Sequence, residues 1–468
     1  MSQTAFPEAF LARMRSQLGD AFDAFWEAIQ GSAHTSIRLN PGKPISEDPT
    51  WMPMLWHPEG RYLATRPPFV EDPRFHAGAY YVQEASSMML HACVDWSRDM
   101  RILDLCAAPG GKSTLIAAAM SKDSVLVANE VISSRAKVLA ENLTRWGRGE
   151  VVVTQNDPAD FQDAEGMFDL IVVDAPCSGE GMFRKDPASR GEWSPQHVEV
   201  CSARQRRILA NILPCLRPGG TLVYSTCTWA PEEDQEIVDW VLDEFRNELE
   251  LDPVEVPNDW GPEPIEVGGV QGAGWLNYPH RVQGEGLFFA RFRKQGVFDT
   301  DARTSSKARK KKKKQKSQSS QSSGESADPK VLKAFETQYL KPDHGLSMEA
   351  LDKYLFARPA LARDLKRLGL KVIKQGVLLG EIHRKEIAPS HELALSTFIS
   401  TDVPAVELDL RQAQQYLQKQ EIAIDAPVSK GWFLVRYEGI NLGWMKVAGR
   451  RLNNYFPSNW RIRKRLEN

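Results

Sequence analysis

Arg101-Ile102-Leu103-Asp104-Leu105-Cys106-Ala107-Ala108-Pro109-Gly110-Gly111-Lys112 decides how the chain folds. The first five residues are a short apolar run suited to a buried strand, and the next seven are small or turn-forming. From 113 to 120 the composition becomes helical. Strand, glycine-rich turn and helix together make a ligand-binding arrangement. Small residues let backbone approach a ligand closely, and the helix start offers unpaired N–H groups and partial positive charge to an anion. Cys106, Ala107, Ala108, Pro109, Gly110, Gly111 and Lys112 are therefore candidate cofactor-binding residues.

Outward from this motif, apolar runs at 101–105, 124–128, 151–154, 169–173 and 221–225 alternate with helical segments between about 100 and 294. That alternation predicts an α/β, doubly wound, Rossmann-like domain with a parallel sheet covered on both faces. Two later runs, 275–278 and 287–292, are expected to close it as an antiparallel hairpin. Glu130 ends the second strand, where such sheets place an acid against ribose hydroxyls, so a nucleoside-bearing cofactor is expected. Asn156-Asp157 follows the third strand, where Asp157 would meet an adenine amino group. For Glu130 and Asp157 alike, a helix-capping acid is the plainer alternative.

Two loops carry the reactive side chains. Asp174-Ala175-Pro176-Cys177 follows the fourth strand and Ser225-Thr226-Cys227-Thr228 the fifth. First, fourth and fifth strands are commonly neighbours in doubly wound sheets, which would bring both thiols beside the cofactor. Two convergent cysteines outside a metal pattern point to covalent chemistry, and residue chemistry does not rank them. Cys93, Cys201 and Cys215 read as small hydrophobes. A rival reading is a P-loop NTPase, because Gly111-Lys112-Ser113 ends like G-x-x-x-x-G-K-[ST] and 170–174 resembles a strand ending in a magnesium-binding Asp. Cys106 occupies the place of that motif's first glycine.

With 468 residues, 42% of them hydrophobic, the chain can bury a large core and form several domains. It shows neither a secretory leader nor an apolar run of about 18 residues, so no membrane association is expected. Six cysteines without a C-x-x-C pair argue against a zinc ribbon or a redox dithiol. A reducing cytoplasm, no metal and a monomer are expected.

Net charge of −2 conceals basic blocks at Lys310 to Lys314, with Lys307, Arg309 and Lys316, and at Arg461 to Arg465. The predicted organisation is 1–95, a helical region with apolar residues at helical spacing (Phe10, Leu11, Met14, Leu18, Phe22, Phe25 and Ile29); 96–296, the α/β domain; 297–330, a Lys/Ser-rich flexible linker; 331–375, a helical connector; and 376–468, a small β-rich module.

These motifs resemble the Nol/Nop/Sun (Fmu-type) family of RNA cytosine-5 methyltransferases, and in particular its bacterial members acting on small-subunit ribosomal RNA. The resemblance rests on Asp104-Leu-Cys-Ala-Ala-Pro-Gly-Gly-Lys112, Asp174-Ala-Pro-Cys177, Tyr224-Ser-Thr-Cys-Thr228, Arg38-Leu-Asn40, Tyr81-Val-Gln-Glu-Ala-Ser-Ser87, Pro279-His280 and Gly286-Leu-Phe-Phe-Ala290, and it covers about 36–293. One small departure is Ser113, where the family often has Thr. The resemblance implies that Cys106 to Lys112 hold the methionine portion of S-adenosyl-L-methionine, Glu130 its ribose and Asp157 its adenine end, with Asp174 facing the target base. It also implies that Cys227 is the nucleophile and that Cys177 assists product release.

A thiol suits such a reaction. Carbon 5 of cytosine is a poor nucleophile until a thiolate adds at carbon 6 and makes the ring an enamine. A nearby positive charge should assist the thiolate, and a carboxyl at Asp174 could hydrogen-bond to ring nitrogen 3. The tail, through Gly431-Trp-Phe-Leu-Val-Arg-Tyr437, Leu442-Gly-Trp-Met-Lys446 and Asn453-Asn-Tyr-Phe-Pro457, resembles a PUA-type RNA-binding module. Its Arg450, Arg451, Arg461 and Arg463 would meet RNA, whereas part of the set Trp432, Trp444 and Tyr455 would fill a small core. The expected partner is 16S ribosomal RNA, free or assembled, with tRNA and a non-catalytic RNA-binding role as alternatives.

Overall fold

The computed structural model describes residues 5–296, 328–342, 345–384, 386–423, 430–448 and 451–464. Five parallel strands form its centre, in the spatial order Leu216–Thr226, Phe168–Asp174, Arg101–Asp104, Val125–Asn129 and Val151–Thr154. They are buried on both faces, which is why they read as continuous apolar runs instead of alternating ones. The expected antiparallel closure is present: Val270–Asn277 pairs with Leu287–Lys294, which lies against Leu216–Thr226. Glu263–Val267 and Leu249–Leu251 extend that side. At the other end Val372–Gln375 adds an antiparallel strand to Val151–Thr154, so a segment far along the chain completes a ten-stranded sheet.

The amino-terminal helices Glu8–Leu18 and Phe22–Gln30 match the helical spacing, joined by the 3-10 turn Gly19–Ala21. Phe10, Met14, Phe22, Phe25 and Ile29 are buried in one cluster with Ile171, Val173, Leu222 and Tyr224 of the central sheet. Burial of each such side chain contributes about 1.5–3 kcal/mol, so these helices are part of the α/β domain's core. The rest of the 1–95 region departs from the helical expectation. It forms an antiparallel sheet ordered Met52–Met54, His57–Leu63, Thr35–Leu39 and Tyr80–Val82.

Residues 331–375 also depart from expectation, being more than a helical connector. After the helix Pro329–Tyr339, capped by Asp328, come strands Ser347–Leu351 and Tyr354–Arg358 and the helix Leu361–Arg367. The hairpin turns at Asp352, whose φ of 52° suits a two-residue loop. Tyr354–Arg358 then pairs with Val377–Ile382, so a boundary at 376 would cut through one sheet. A third four-stranded sheet, Ala405–Glu407, Gly431–Tyr437, Ile440–Ala448 and Arg451–Asn454, forms the β-rich module. The Lys-rich run at 307–316 lies outside the described residues, as do Arg450 and the side chain of Arg451. Among the described residues no helix is long and apolar enough to cross a membrane.

Candidate active site

Leu105 N–H donates to Val172 O at 3.0 Å and Ala107 N–H to Asn129 O at 2.9 Å, so the glycine-rich loop leaves the sheet between its two neighbouring strands. Gly110 takes φ 114°, a conformation that favours glycine, and the helix Gly111–Ala119 starts immediately after it. Below the loop, Ser113 Oγ donates to Asp104 Oδ2 at 2.6 Å. Asp104 Oδ1 is buried without a hydrogen-bond partner among the described residues. Burial pushes the Asp104 carboxyl up to about 7.

Arg38, which is 0% exposed, braces this helix from the amino-terminal sheet. It donates to Gln83 Oε1 at 2.8 Å and Thr114 Oγ1 at 2.6 Å, and its guanidinium lies 4.5 Å from the Trp146 ring centre. Asn40 Nδ2 joins the same region by donating to Trp146 O at 3.0 Å. Arg38 therefore supports the helix Gly111–Ala119 with Gln83 beside it, and Asn40 holds the end of the helix Ser133–Trp146.

Glu130 sits at the end of Val125–Asn129 with its side chain buried. It accepts from Ile132 N–H at 2.9 Å and pairs with Arg135 at 3.4 Å, while Arg135 also donates to Ala108 O at 2.8 Å. One arginine thus ties the acid to the glycine-rich loop. Asp157 accepts from Ala159 N–H at 3.0 Å as the cap of a 3-10 turn, and it pairs with Arg207 at 3.1 Å. Partial burial opposes ionisation of this carboxyl, but Ala159 and Arg207 outweigh it and hold it below its ordinary range. The capping alternative thus describes Asp157 as it stands in the structure.

The two cysteine loops meet. Cys177 Sγ lies 3.2 Å from Cys227 Sγ and accepts from Cys227 N–H at 3.3 Å. The hydrogen bond to Cys227, reinforced by burial, raises the Cys177 thiol well above its ordinary value. Beside them, Lys112 Nζ contacts Asp174 Oδ2 at 2.8 Å, and Ser225 Oγ donates to Asp174 Oδ1 at 2.9 Å. Burial works against the Lys112 charge, yet Asp174 and then Cys227 hold it above the usual lysine value. Lys112 is therefore a largely covered cation within electrostatic reach of the Cys227 sulfur. By contrast Cys93, Cys201 and Cys215 are buried, and burial pushes their thiols up to about 12, 11 and 12.

Sequence reasoning missed the groups that hold these loops. Glu180, wholly buried, accepts from Trp229 N–H at 3.0 Å, Trp193 Nε1 at 2.8 Å and Arg13 at 2.6 Å. Gly181 N–H donates to Cys227 O at 2.9 Å, and a Cβ there would come 2.7 Å from Gly286 O. The available signal was the placement of Glu180 and Gly181 just after Cys177, in the same strand-end segment as the thiol.

In the β-rich module Trp444 is a core residue, whereas Tyr455 is 47% exposed and packs against Trp432 at 4.5 Å. Arg461 and Arg463 are exposed.

A doubly wound sheet with paired thiols at its carboxyl edge agrees with what comparison finds along the whole chain: an RNA methyltransferase. Residues 92–293 match the model described as 16S rRNA methyltransferase RsmB/F, and 6–85 match the N-terminal domain of 16S rRNA methyltransferase RsmF. Residues 334–396 match the RsmF rRNA methyltransferase first C-terminal domain, and 403–462 the methyltransferase RsmF PUA domain. The chain belongs to the RsmF branch of the 16S rRNA methyltransferase RsmB/F family.

It is 33% identical over 473 residues to the ribosomal RNA small subunit methyltransferase F of Shigella boydii serotype 4 (strain Sb227), covering 97% of this chain and 96% of that one. The protein of that name from Escherichia coli O127:H6 (strain E2348/69 / EPEC) is 33% identical over 472 residues, with 97% and 96% covered. Among solved structures, a methyltransferase homolog protein from Pyrococcus horikoshii has a TM-score of 0.53 at 28% identity, over 62% of this chain and 96% of that one. The NSun6 of Pyrococcus horikoshii, solved with SFG, shares the fold at 21% identity and a TM-score of 0.53, over 63% of this chain and 100% of that one. A P-loop NTPase is not what the glycine-rich loop serves, since the methyltransferase match runs through it.

Proposed function

We propose that this protein is an S-adenosyl-L-methionine-dependent RNA (cytosine-5) methyltransferase acting on 16S ribosomal RNA. The observation that carries the reading is the meeting of Cys177 and Cys227, 3.2 Å apart, beside the Lys112–Asp174 pair.

The residues present fit the cofactor. Asp104 Oδ1 is a buried acceptor in need of a donor such as the cofactor's ammonium group, and the buried Glu130 stands where ribose hydroxyls would lie. When bound, S-adenosyl-L-methionine supplies an electrophilic methyl group. Gly110, Gly111 and the helix start hold its methionine portion, and Cys106 to Pro109 shape the loop. Asp157 is assigned the adenine end, a role in which it would keep its cap to Ala159.

Cys227 Sγ, its thiolate favoured by the Lys112 charge, adds to carbon 6 of a cytosine turned out of its stack. Asp174, taking the proton that the Cys227 thiol releases while Lys112 keeps its charge, hydrogen-bonds to ring nitrogen 3 and stabilises the enamine, whose carbon 5 takes the methyl group. The Cys227 sulfur holds the Cys177 thiol protonated in the free enzyme. Once Cys227 is bonded to the base its share of that restraint is lost, which favours release of the Cys177 proton to water, and the Cys177 thiolate accepts the carbon 5 proton. Elimination then frees Cys227. Arg461, Arg463 and the PUA-like module are assigned to RNA contact.

The test is transfer of labelled methyl from S-adenosyl-L-methionine to 16S ribosomal RNA, free or in small subunits. Cys227→Ala should abolish transfer, whereas Cys177→Ala should accumulate a denaturation-resistant protein–RNA adduct. Methylation by Cys227→Ala would refute the reading.

A further inference from the structure

Behind the two cysteine loops lies a carboxylate that the chemistry above does not use. Glu233 is 0% exposed and stands at the approach to the helix Gln235–Glu244. Its two oxygens accept from Ser178 N–H at 3.0 and 3.3 Å, from the Ser178 hydroxyl, and from Gln205 Nε2 at 2.9 Å. Gln205 also donates to Pro176 O at 3.2 Å. Ser178 Oγ lies 3.0 Å from Thr228 Oγ1, which in turn accepts from Ala230 N–H at 3.3 Å.

Ser178 directly follows Cys177, and Thr228 directly follows Cys227. An ionised carboxylate only accepts hydrogen bonds, so Ser178 must give its proton to Glu233 and can only receive one from Thr228. One direction of donation therefore runs from the Cys227 loop through the Cys177 loop to Glu233. A glutamine could not reproduce this: its single oxygen serves fewer of the donors, and its N–H groups would face Ser178 or Gln205.

We infer that Glu233 is a positioning residue for the reaction: through Ser178 and Thr228 it sets how the Cys177 and Cys227 thiols face each other and the base. The inference rests on the proposed roles of those thiols. Burial pushes the Glu233 carboxyl up to about 7, against which the Ser178 and Gln205 donors favour its charged form. Displacement of reacting atoms by about 1 Å costs about 100-fold in rate, so loosening this chain should be read in turnover before binding.

The experiment uses the full chain with Glu233→Gln, Ser178→Ala and the double variant. Turnover is measured on 16S ribosomal RNA, free and in small subunits, together with S-adenosyl-L-methionine affinity by calorimetry and adduct yield on RNA containing 5-fluorocytidine. The expected result is a kcat lowered about 10- to 100-fold in each single variant, with KM for RNA and cofactor affinity within about twofold. The double variant should be no slower than the slower single one, because both break one chain. Wild-type turnover in Glu233→Gln, or effects that multiply, would overturn the inference. Should Glu233→Gln lose its folding transition, Ser178→Ala decides, and full turnover there counts against it. Cys227→Ala is assayed in parallel. If that variant methylates, the parent reading falls; if it is inactive while Glu233→Gln is normal, only the role of Glu233 falls.

Discussion

The middle of the central sheet and one of its edges are stitched by different means. Where Phe168–Asp174 and Leu216–Thr226 end, the loops are joined by buried, charge-assisted bonds: Arg13 from the amino-terminal helix reaches Glu180, and Glu180 reaches Trp229 N–H. At the far end, Val151–Thr154 is covered by Val372–Gln375 mainly through backbone pairing. Lys371 N–H donates to Asn156 Oδ1 at 2.9 Å, and Asn156 Nδ2 donates back to Lys371 O at 3.3 Å. Covering an edge strand needs only a matching ladder, which many sequences satisfy. Holding two sulfur atoms in contact demands directional bonds that fail if any partner is missing.

That contrast can be broken from the costly side first. Glu180→Ala would leave Trp229 N–H, Trp193 Nε1 and Arg13 without their acceptor, so a loss of about 3 kcal/mol in chemical denaturation is expected, with methyl transfer falling too. A loss below about 1 kcal/mol would show that the loops are held by packing alone.

Asp104 gives a smaller effect that depends on pH. Its folded value, about 7, lies above the ordinary 3.8, so between these the folded state holds a proton that the unfolded state has released. Stability contributed by this group is therefore fully present below the ordinary value and lost as pH rises through the folded one. Asp104→Asn keeps an oxygen for Ser113 and should flatten that decline by about 2 kcal/mol, measured as melting against pH. An unchanged profile would remove Asp104 as its source.

At the strand-covering end, Asn156→Ala should cost only about 1 kcal/mol, with faster amide exchange at Lys371 and Gly376, whose N–H groups bond to Asn156 and Val151. A global loss as large as that of Glu180→Ala would abolish the contrast. Arg207→Ala removes an exposed pair, so stability should change by at most about 0.5 kcal/mol. Its cofactor affinity, by calorimetry, tests whether Asp157 needs that arginine to meet adenine.

Much of this was legible in the chain. The five parallel strands were visible because each is buried on both faces and so leaves an unbroken apolar run. Cys177, Cys227 and Asp174 were visible because reactive side chains at strand ends stand out against the apolar runs before them. The 35–82 sheet and the strands between 347 and 389 were not. They are short, and a short strand's pattern does not name its partner. Val372–Gln375 is the clearest case, a four-residue run that belongs to a sheet begun near residue 101.

Local composition alone determined the order of strand, glycine-rich turn and helix, the positions of both thiols and the basic blocks, because backbone preference and apolar spacing act over a few residues. Only the tertiary structure decided that Glu180 and Glu233 are interior groups, that Lys112 stands by Cys227, and that Arg13 and Arg38 reach the catalytic domain from the amino-terminal region. Glu232-Glu233-Asp234 after a proline has the composition of a solvated helix start. Whether such a carboxylate meets water or serine hydroxyls depends on what distant segments pack over it, and that information resides in no local stretch of chain.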